Sequence, residues 1–190
     1  LLGGYENTAM ALAWTFEQML SAPDVLARAR EEVLAVLGPE GPVEDRVERL
    51  EYLDAVIKEA LRARPPLYIA GGRLLRESVQ VGGYAVPAGA TLVNCPYLLH
   101  RQPEVYPEPE RFLPERFLGR KLDPYEWTPF GGGPRRCLGL FFTIHEMKVV
   151  IATVLAQARL RLATPRREVR RRGFQIAPAD GVRVVLDRGA

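Results

Sequence analysis

Apolar residues recur at helical spacing near the start of the chain, where Leu12, Phe16, Met19 and Leu20 fall on one side. Ser21 and Pro23 stop that helix and start the next, which runs through "DVLARAREEVLAVLG" to Gly38 and is followed by the loop "PEGPVEDR". From Leu50 to Arg62 the residues Leu53, Val56, Ile57, Ala60 and Leu61 make one apolar face, and Pro65 with Pro66 ends the helix. Between Arg73 and Cys95 the period shortens. "LLRESVQVGGYAVPAGATLVNC" alternates and is broken at Gly82-Gly83 and Pro87-Ala88-Gly89, which predicts short strands joined by tight turns. From Gln102 to Pro129 the chain is rich in proline and aromatics and has little periodicity. Such a stretch is too long for an idle loop, so it is expected to wrap the surface, pinned by specific contacts. After Cys137, the positions Leu138, Phe141, Phe142, Ile144, Met147, Ile151, Val154 and Leu155 continue a helix. The tail "FQIAPADGVRVVL" reads as a hairpin turning near Asp180-Gly181. There is no internal repeat and no low-complexity tract.

Composition changes this picture little. The chain has 190 residues, 47% hydrophobic and 26% charged, with a formal net charge of +3, as an ordinary globular protein does. No run of consecutive apolar residues is long enough to span a bilayer, and the start lacks the basic-then-apolar pattern of a signal peptide. The two cysteines, Cys95 and Cys137, lie far apart and outside any CxxC or Cys/His zinc pattern, which points to a reducing compartment. The run "RREVRRR", Arg166 to Arg172, reads as a solvated basic loop, because no aromatic residues interleave with the arginines to stack on bases; no nucleic-acid partner is expected. The chain opens on "LLGGYENTAMALAWTFEQML", without Met and already helix-like, so an N-terminal portion is expected to precede Leu1. Abundant Ala, Arg and Pro suggest a soluble, cytoplasmic bacterial protein; a membrane anchor upstream of Leu1 is compatible with this start.

The chemistry concentrates in "FGGGPRRCLG", Phe130 to Gly139. Cys137 stands just before a predicted helix N-terminus, where free backbone N–H groups and the positive end of the helix dipole suit a thiolate metal ligand. Gly131, Gly132, Gly133 and Gly139 clear side chains from around it, so the backbone can approach a flat, bulky partner. Arg135 and Arg136 supply cations suited to carboxylates. A flat metal complex with carboxylates and one open face describes haem. A buried structural cysteine, with glycines that only make a turn, accounts for the same residues.

"FGGGPRRCLG" resembles the cysteine loop of cytochromes P450, Phe-x-x-Gly-x-Arg-x-Cys-x-Gly, met by Phe130, Gly133, Arg135, Cys137 and Gly139. The resemblance implies haem b with Cys137 as the axial thiolate. In that family a Glu-x-x-Arg pair, here Glu59 and Arg62 in "EALR", joins an arginine of the later "PERF" segment, here Arg116, in a buried network that holds the irregular stretch beside the cysteine loop. Arg73, after "PPLYIAGGR", is implied to pair with a haem propionate, with Arg135 as its counterpart; the spacing favours this over an exposed arginine at a strand start. Leu67, Ile69 and Phe174 fall where the family turns side chains toward substrate, although core packing explains each equally simply. Neither His100, in the family-like "LHRQPE", nor His145 is expected to bind iron; a solvated or packed imidazole is expected at both.

The opening "GGYENT" resembles the family's Ala/Gly-Gly-x-Glu/Asp-Thr-Thr/Ser signature on the helix over the haem. The likeness implies that Gly3 and Gly4 leave room for dioxygen and that Glu6 conducts protons. Asn7 departs from it, standing where a threonine is usual, with Thr8 following. An amide can position a water but passes a proton less readily than a hydroxyl does.

The resemblance implies a mainly α fold with small β-sheets, residues 1–190 being the C-terminal portion of a single catalytic domain. It implies a haem-thiolate monooxygenase that inserts one atom of O2 into a small apolar organic substrate, with electrons from a ferredoxin- or flavoprotein-type donor. Asn7 motivates an alternative, peroxygenase or rearrangement chemistry, and the truncated start motivates another, an inactive fragment.

Overall fold

A computed structural model describes residues 2–38, 44–121, 123–164 and 168–187. Most of the predicted 39–46 loop, and Arg166 and Arg167 of the basic run, lie outside the described residues. Four helices form the core: α1 (Leu2–Leu20), α2 (Pro23–Leu37), α3 (Glu51–Ala63) and, after the short α4 (Pro96–Leu99), α5 (Leu140–Gln157). Each turns an apolar stripe inward, and Met19, Val33, Leu53, Ile57, Met147 and Ile151 meet with no exposed surface. Pro23 suits the first turn of α2, because a helix start needs no N–H there. Gly38 ends α2 at φ 76°, donating its N–H to the Leu34 carbonyl.

The strands form four two-stranded antiparallel sheets: β1 (Ala70–Leu74) with β4 (Thr91–Asn94), β2 (Val79–Val81) with β3 (Tyr84–Val86), β5 (Leu160–Leu162) with β8 (Val184–Leu186), and β6 (Val169–Arg172) with β7 (Gln175–Pro178). The fold is therefore mainly α with small sheets.

Three expectations change. The tail does not form a hairpin at Asp180-Gly181; the turn falls at Gly173-Phe174 between β6 and β7, while β8 returns to β5. The part of the basic run from Val169 to Arg172 is an exposed strand rather than a loop. On α5 only the later apolar positions are core: Phe141 and Phe142 are exposed, as is Leu138 just before the helix. By length and composition α5 is also apolar enough to cross a membrane, with a mean hydropathy of 1.4, although no run of consecutive apolar residues suggested it. It behaves as a core helix: Met147, Ile151 and Leu155 are buried, and Lys148 is buried among them with its ammonium 3.0 Å from Asp54.

The irregular stretch from Gln102 to Pro129 is pinned as expected. Tyr106 and Phe117 are buried, Trp127 contacts the Phe117 ring, and Phe130 continues the aromatic row into the cysteine loop. The Trp127 indole N–H donates to the Lys58 carbonyl on α3.

Candidate functional site

The cysteine loop closes through three backbone hydrogen bonds. Gly131 N–H donates to the Thr128 carbonyl (3.0 Å), Cys137 N–H to Phe130 (2.9 Å) and Arg136 N–H to Gly133 (3.1 Å). Gly131 at φ 71° and Gly133 at φ 64° make the two reversals that side-chain-bearing residues resist. Cys137 is left exposed ahead of α5, whose first turn begins where Thr143 N–H donates to the Gly139 carbonyl. A Cβ on Gly139 would stand 3.8 Å from the Cys137 sulfur, so the chain passes close beside it.

The loop faces a cavity of about 930 Å³. It is also lined by α1, through Gly3, Gly4, Asn7, Thr8 and Ala11, by Leu67 and Arg73, and by Phe142 and Thr143 of α5. The fold thus brings Gly4, Asn7, Thr8, Leu67, Arg73, Phe130, Arg135, Cys137 and Gly139 together around one space. Glu6, Ile69, Gly133 and Phe174 do not line it. Glu6 is exposed on α1, Ile69 is half-buried, Gly133 acts through its backbone, and Phe174 is 67% exposed at the β6–β7 turn. A Cβ at Gly3 or Gly4 would meet nothing within 4 Å, so the helix there leaves open space.

Beneath the loop lies a buried polar network. Glu59 and Arg62 are both 0% exposed. The guanidinium holds the carboxylate through two bonds, Nε to Oε2 at 2.7 Å and Nη2 to Oε1 at 3.0 Å. Leu113 N–H (2.9 Å) and Arg116 Nε (3.4 Å) also donate to Glu59 Oε1. Arg62 further donates to the carbonyls of His100 (2.7 Å) and Pro109 (2.8 Å), and Arg116 to those of Pro107 and Glu108. Glu59, Arg62 and Arg116 therefore meet, joining α3 to the irregular stretch.

Sequence reasoning missed the weight of His100. It is fully buried, and its Nε2 accepts from Thr128 N–H at 3.0 Å, which makes Nδ1 the donor to the Arg62 carbonyl at 3.1 Å. Burial pushes its pKa down to about 3, so it is neutral. Thr128 in turn receives the Gly131 N–H, so one chain of hydrogen bonds runs from α3 through His100 into the cysteine loop. A lone histidine in sequence carries no sign of such a position.

The donor set fits a flat, anionic, metal-centred cofactor. The exposed thiol opens on a large cavity, and two guanidiniums, Arg73 and Arg135, line the same space. Neither pairs with a carboxylate among the described residues; Arg73 donates only to the Gly71 and Gly72 carbonyls. Arg136 instead lies over the Phe141 ring, its guanidinium carbon 5.9 Å from the ring centre. No group of three or more His, Cys, Asp or Glu suited to a bare metal ion occurs among the described residues.

Fold and site together define a mainly α protein in which a cysteine loop and a glycine-bearing helix line one cavity. The family profile of Cytochrome P450 matches residues 1–176, and the chain belongs to that family. It is similar to "Putative cytochrome P450 135B1" of Mycobacterium bovis, 43% identical over 164 residues, which cover 86% of this chain and 33% of that protein. Two Mycobacterium tuberculosis proteins, "Putative cytochrome P450 138" and "Putative cytochrome P450 137", are 39% and 38% identical over 99% and 97% of this chain, but 40% and 36% of their own lengths. The chain thus spans well under half the length of these relatives.

Proposed function

We propose that residues 1–190 are the C-terminal part of one haem-thiolate catalytic unit, with Cys137 as the residue that would ligate the iron. The observation that carries this reading is the cavity itself, lined both by the cysteine loop and by Gly3, Gly4, Asn7, Thr8 and Ala11 of α1. When bound, haem supplies oxygen activation, which thiolate donation favours. Arg73 and Arg135 would hold its carboxylates, and the lack of side chains at Gly131 and Gly139 would let the loop backbone come close to it. Gly4 leaves the space beside the helix in which dioxygen fits. Leu67, Ala11 and Phe142 give the cavity apolar walls, which suits insertion of one oxygen atom into a small apolar substrate. Electrons come from a ferredoxin- or flavoprotein-type donor. Glu59, Arg62, Arg116 and His100 keep the loop in place and touch neither substrate nor cofactor.

Cys95 is the competing ligand, but its thiol donates to the Tyr68 carbonyl at 3.2 Å and it does not line the cavity. In the haem-loaded protein, Cys137→His is expected to abolish the red-shifted carbon monoxide band of thiolate ligation, and Cys95→Ser to leave it intact. The reverse result refutes the assignment. The amide in place of a hydroxyl at Asn7, which lines the cavity, favours a second reading, peroxide-driven chemistry. Product formation from peroxide at the rate seen with reductant would support it.

A further inference from the structure

Asn7 is held from two sides, and the order of its partners fixes its orientation. Its Nδ2 donates to the Gly3 carbonyl at 2.9 Å, and its Oδ1 accepts from Gln175 Nε2 at 3.0 Å. A carbonyl can only accept, so the Asn7 nitrogen must face Gly3 and its oxygen must face Gln175; Gln175 must then present its own nitrogen. Asn7 lines the cavity, and among the described residues its amide nitrogen has given one of its two N–H groups, to Gly3. Its neighbour Thr8 has committed its hydroxyl proton to the Gly4 carbonyl at 2.6 Å.

Gln175 is itself launched from a clamped strand. It opens β7, pairs with Leu67 across a bridge, and is followed by Ile176, whose N–H donates to the Pro66 carbonyl at 2.9 Å. Two helical turns beyond Asn7, the Trp14 indole N–H donates to the Ile176 carbonyl at 3.0 Å. The strand is therefore tied to α1 at two points, and only the Asn7 point reaches the cavity wall through a side-chain pair. Gln175 does not line the cavity and acts through Asn7.

We propose that Gln175 is a positioning residue, and that the Asn7–Gln175 amide pair presents the α1 wall as a fixed hydrogen-bond donor that favours ligands carrying an acceptor oxygen, a ketone or an ether. The proposal rests on the reading of this cavity as the ligand pocket of a haem protein. It gives Asn7 a recognition role: Gln175 takes one lone pair of the amide oxygen and so fixes the amide's orientation, and the N–H that remains can donate to a ligand.

The test compares binding of 2-adamantanone with that of 2-methyleneadamantane, which has the same skeleton without the acceptor, by the haem absorbance change in the loaded protein. The wild type is expected to prefer the ketone. Asn7→Leu and Gln175→Leu are each expected to reduce that preference about tenfold, a loss of about 1.4 kcal/mol, and the double variant to lose no more than either. Gln175→Glu, which keeps the size but removes the donor, is expected to match Gln175→Leu. A wild type with no preference, a Gln175 variant that keeps it, or a double variant that loses the product of the single effects overturns the proposal. A purely structural role would weaken both probes alike and leave the ratio unchanged, which also overturns it. Haem content and the carbon monoxide band are read on the same samples and report separately on the haem reading. If those fail, the double-mutant cycle in thermal unfolding still decides whether the amide pair couples: additive effects overturn the proposal and coupled effects support the pair.

Discussion

Arg62 and Arg73 flank one proline turn and live in opposite worlds. Arg62 is fully buried, and its guanidinium serves a carboxylate and the carbonyls of His100 and Pro109. Arg73 is exposed on β1 and, among the described residues, reaches only the carbonyls of Gly71 and Gly72. The same contrast separates the two faces of the cysteine loop. Below it, Glu59, Arg62, His100 and Thr128 are buried and mutually bonded; above it, Cys137, Leu138, Phe141 and Phe142 are exposed. A side that holds shape must satisfy its own charges, whereas a side that binds must leave groups unsatisfied for the ligand.

The largest expected effect breaks the lower side. Arg62→Ala leaves the Glu59 carboxylate buried without its main partner and is expected to cost about 3–5 kcal/mol, enough to deplete the folded state of a protein with marginal stability. Arg62→Lys keeps the charge but not the two-pronged grip and is expected to recover only part of the loss. Denaturant unfolding measures both. A loss under about 1 kcal/mol for Arg62→Ala would mean that this network is no stronger than a surface pair.

The next effect comes from pH. His100 titrates at about 3 in the folded chain, below the ordinary value of 6.5, because burial disfavours its charged form. The unfolded chain therefore takes up a proton at His100 that the folded chain refuses. The contribution of His100 is complete above pH 6.5 and is lost as pH falls toward 3. Between pH 7.5 and pH 5 this amounts to about 2 kcal/mol. His100→Gln removes the titration, so its stability is expected to fall less over that interval than that of the wild type. Equal slopes for the two proteins would show that His100 is not held neutral.

The comparison also explains what the sequence could disclose. The helices were legible because their signals are local: the apolar stripe of α3 and the proline pair after it lie within a few turns of each other. The cysteine loop was legible because its glycines, arginine and sulfur are spaced by one short segment. Glu59, Arg62 and Arg116 were placed through a family likeness, since any exposed helix offers a Glu-x-x-Arg pair. What escaped depends on distant partners. Gly173 and Gly181 are both turn-formers, and only the pairing of β8 with β5 shows that the hairpin closes at the first. The Asn7 amide meets Gln175 from the opposite end of the chain. Periodicity likewise marked Phe141 and Phe142 as apolar without showing that they face outward.

The smallest stability effect is the sharpest test of the contrast, because it asks one arginine to matter for binding and hardly at all for folding. Arg73→Ala removes only hydrogen bonds to carbonyls of adjacent residues on an exposed strand, and is expected to change unfolding stability by less than about 0.5 kcal/mol. If Arg73 is instead reserved for a haem carboxylate, the same variant is expected to lose haem faster to a scavenging apoprotein, while Arg136→Ala, whose guanidinium lies over Phe141, is expected to lose it at the wild-type rate. A large stability loss in Arg73→Ala would place it with Arg62 on the structural side. Unchanged haem release would remove it from the binding side and leave Arg135 as the cation of the pocket.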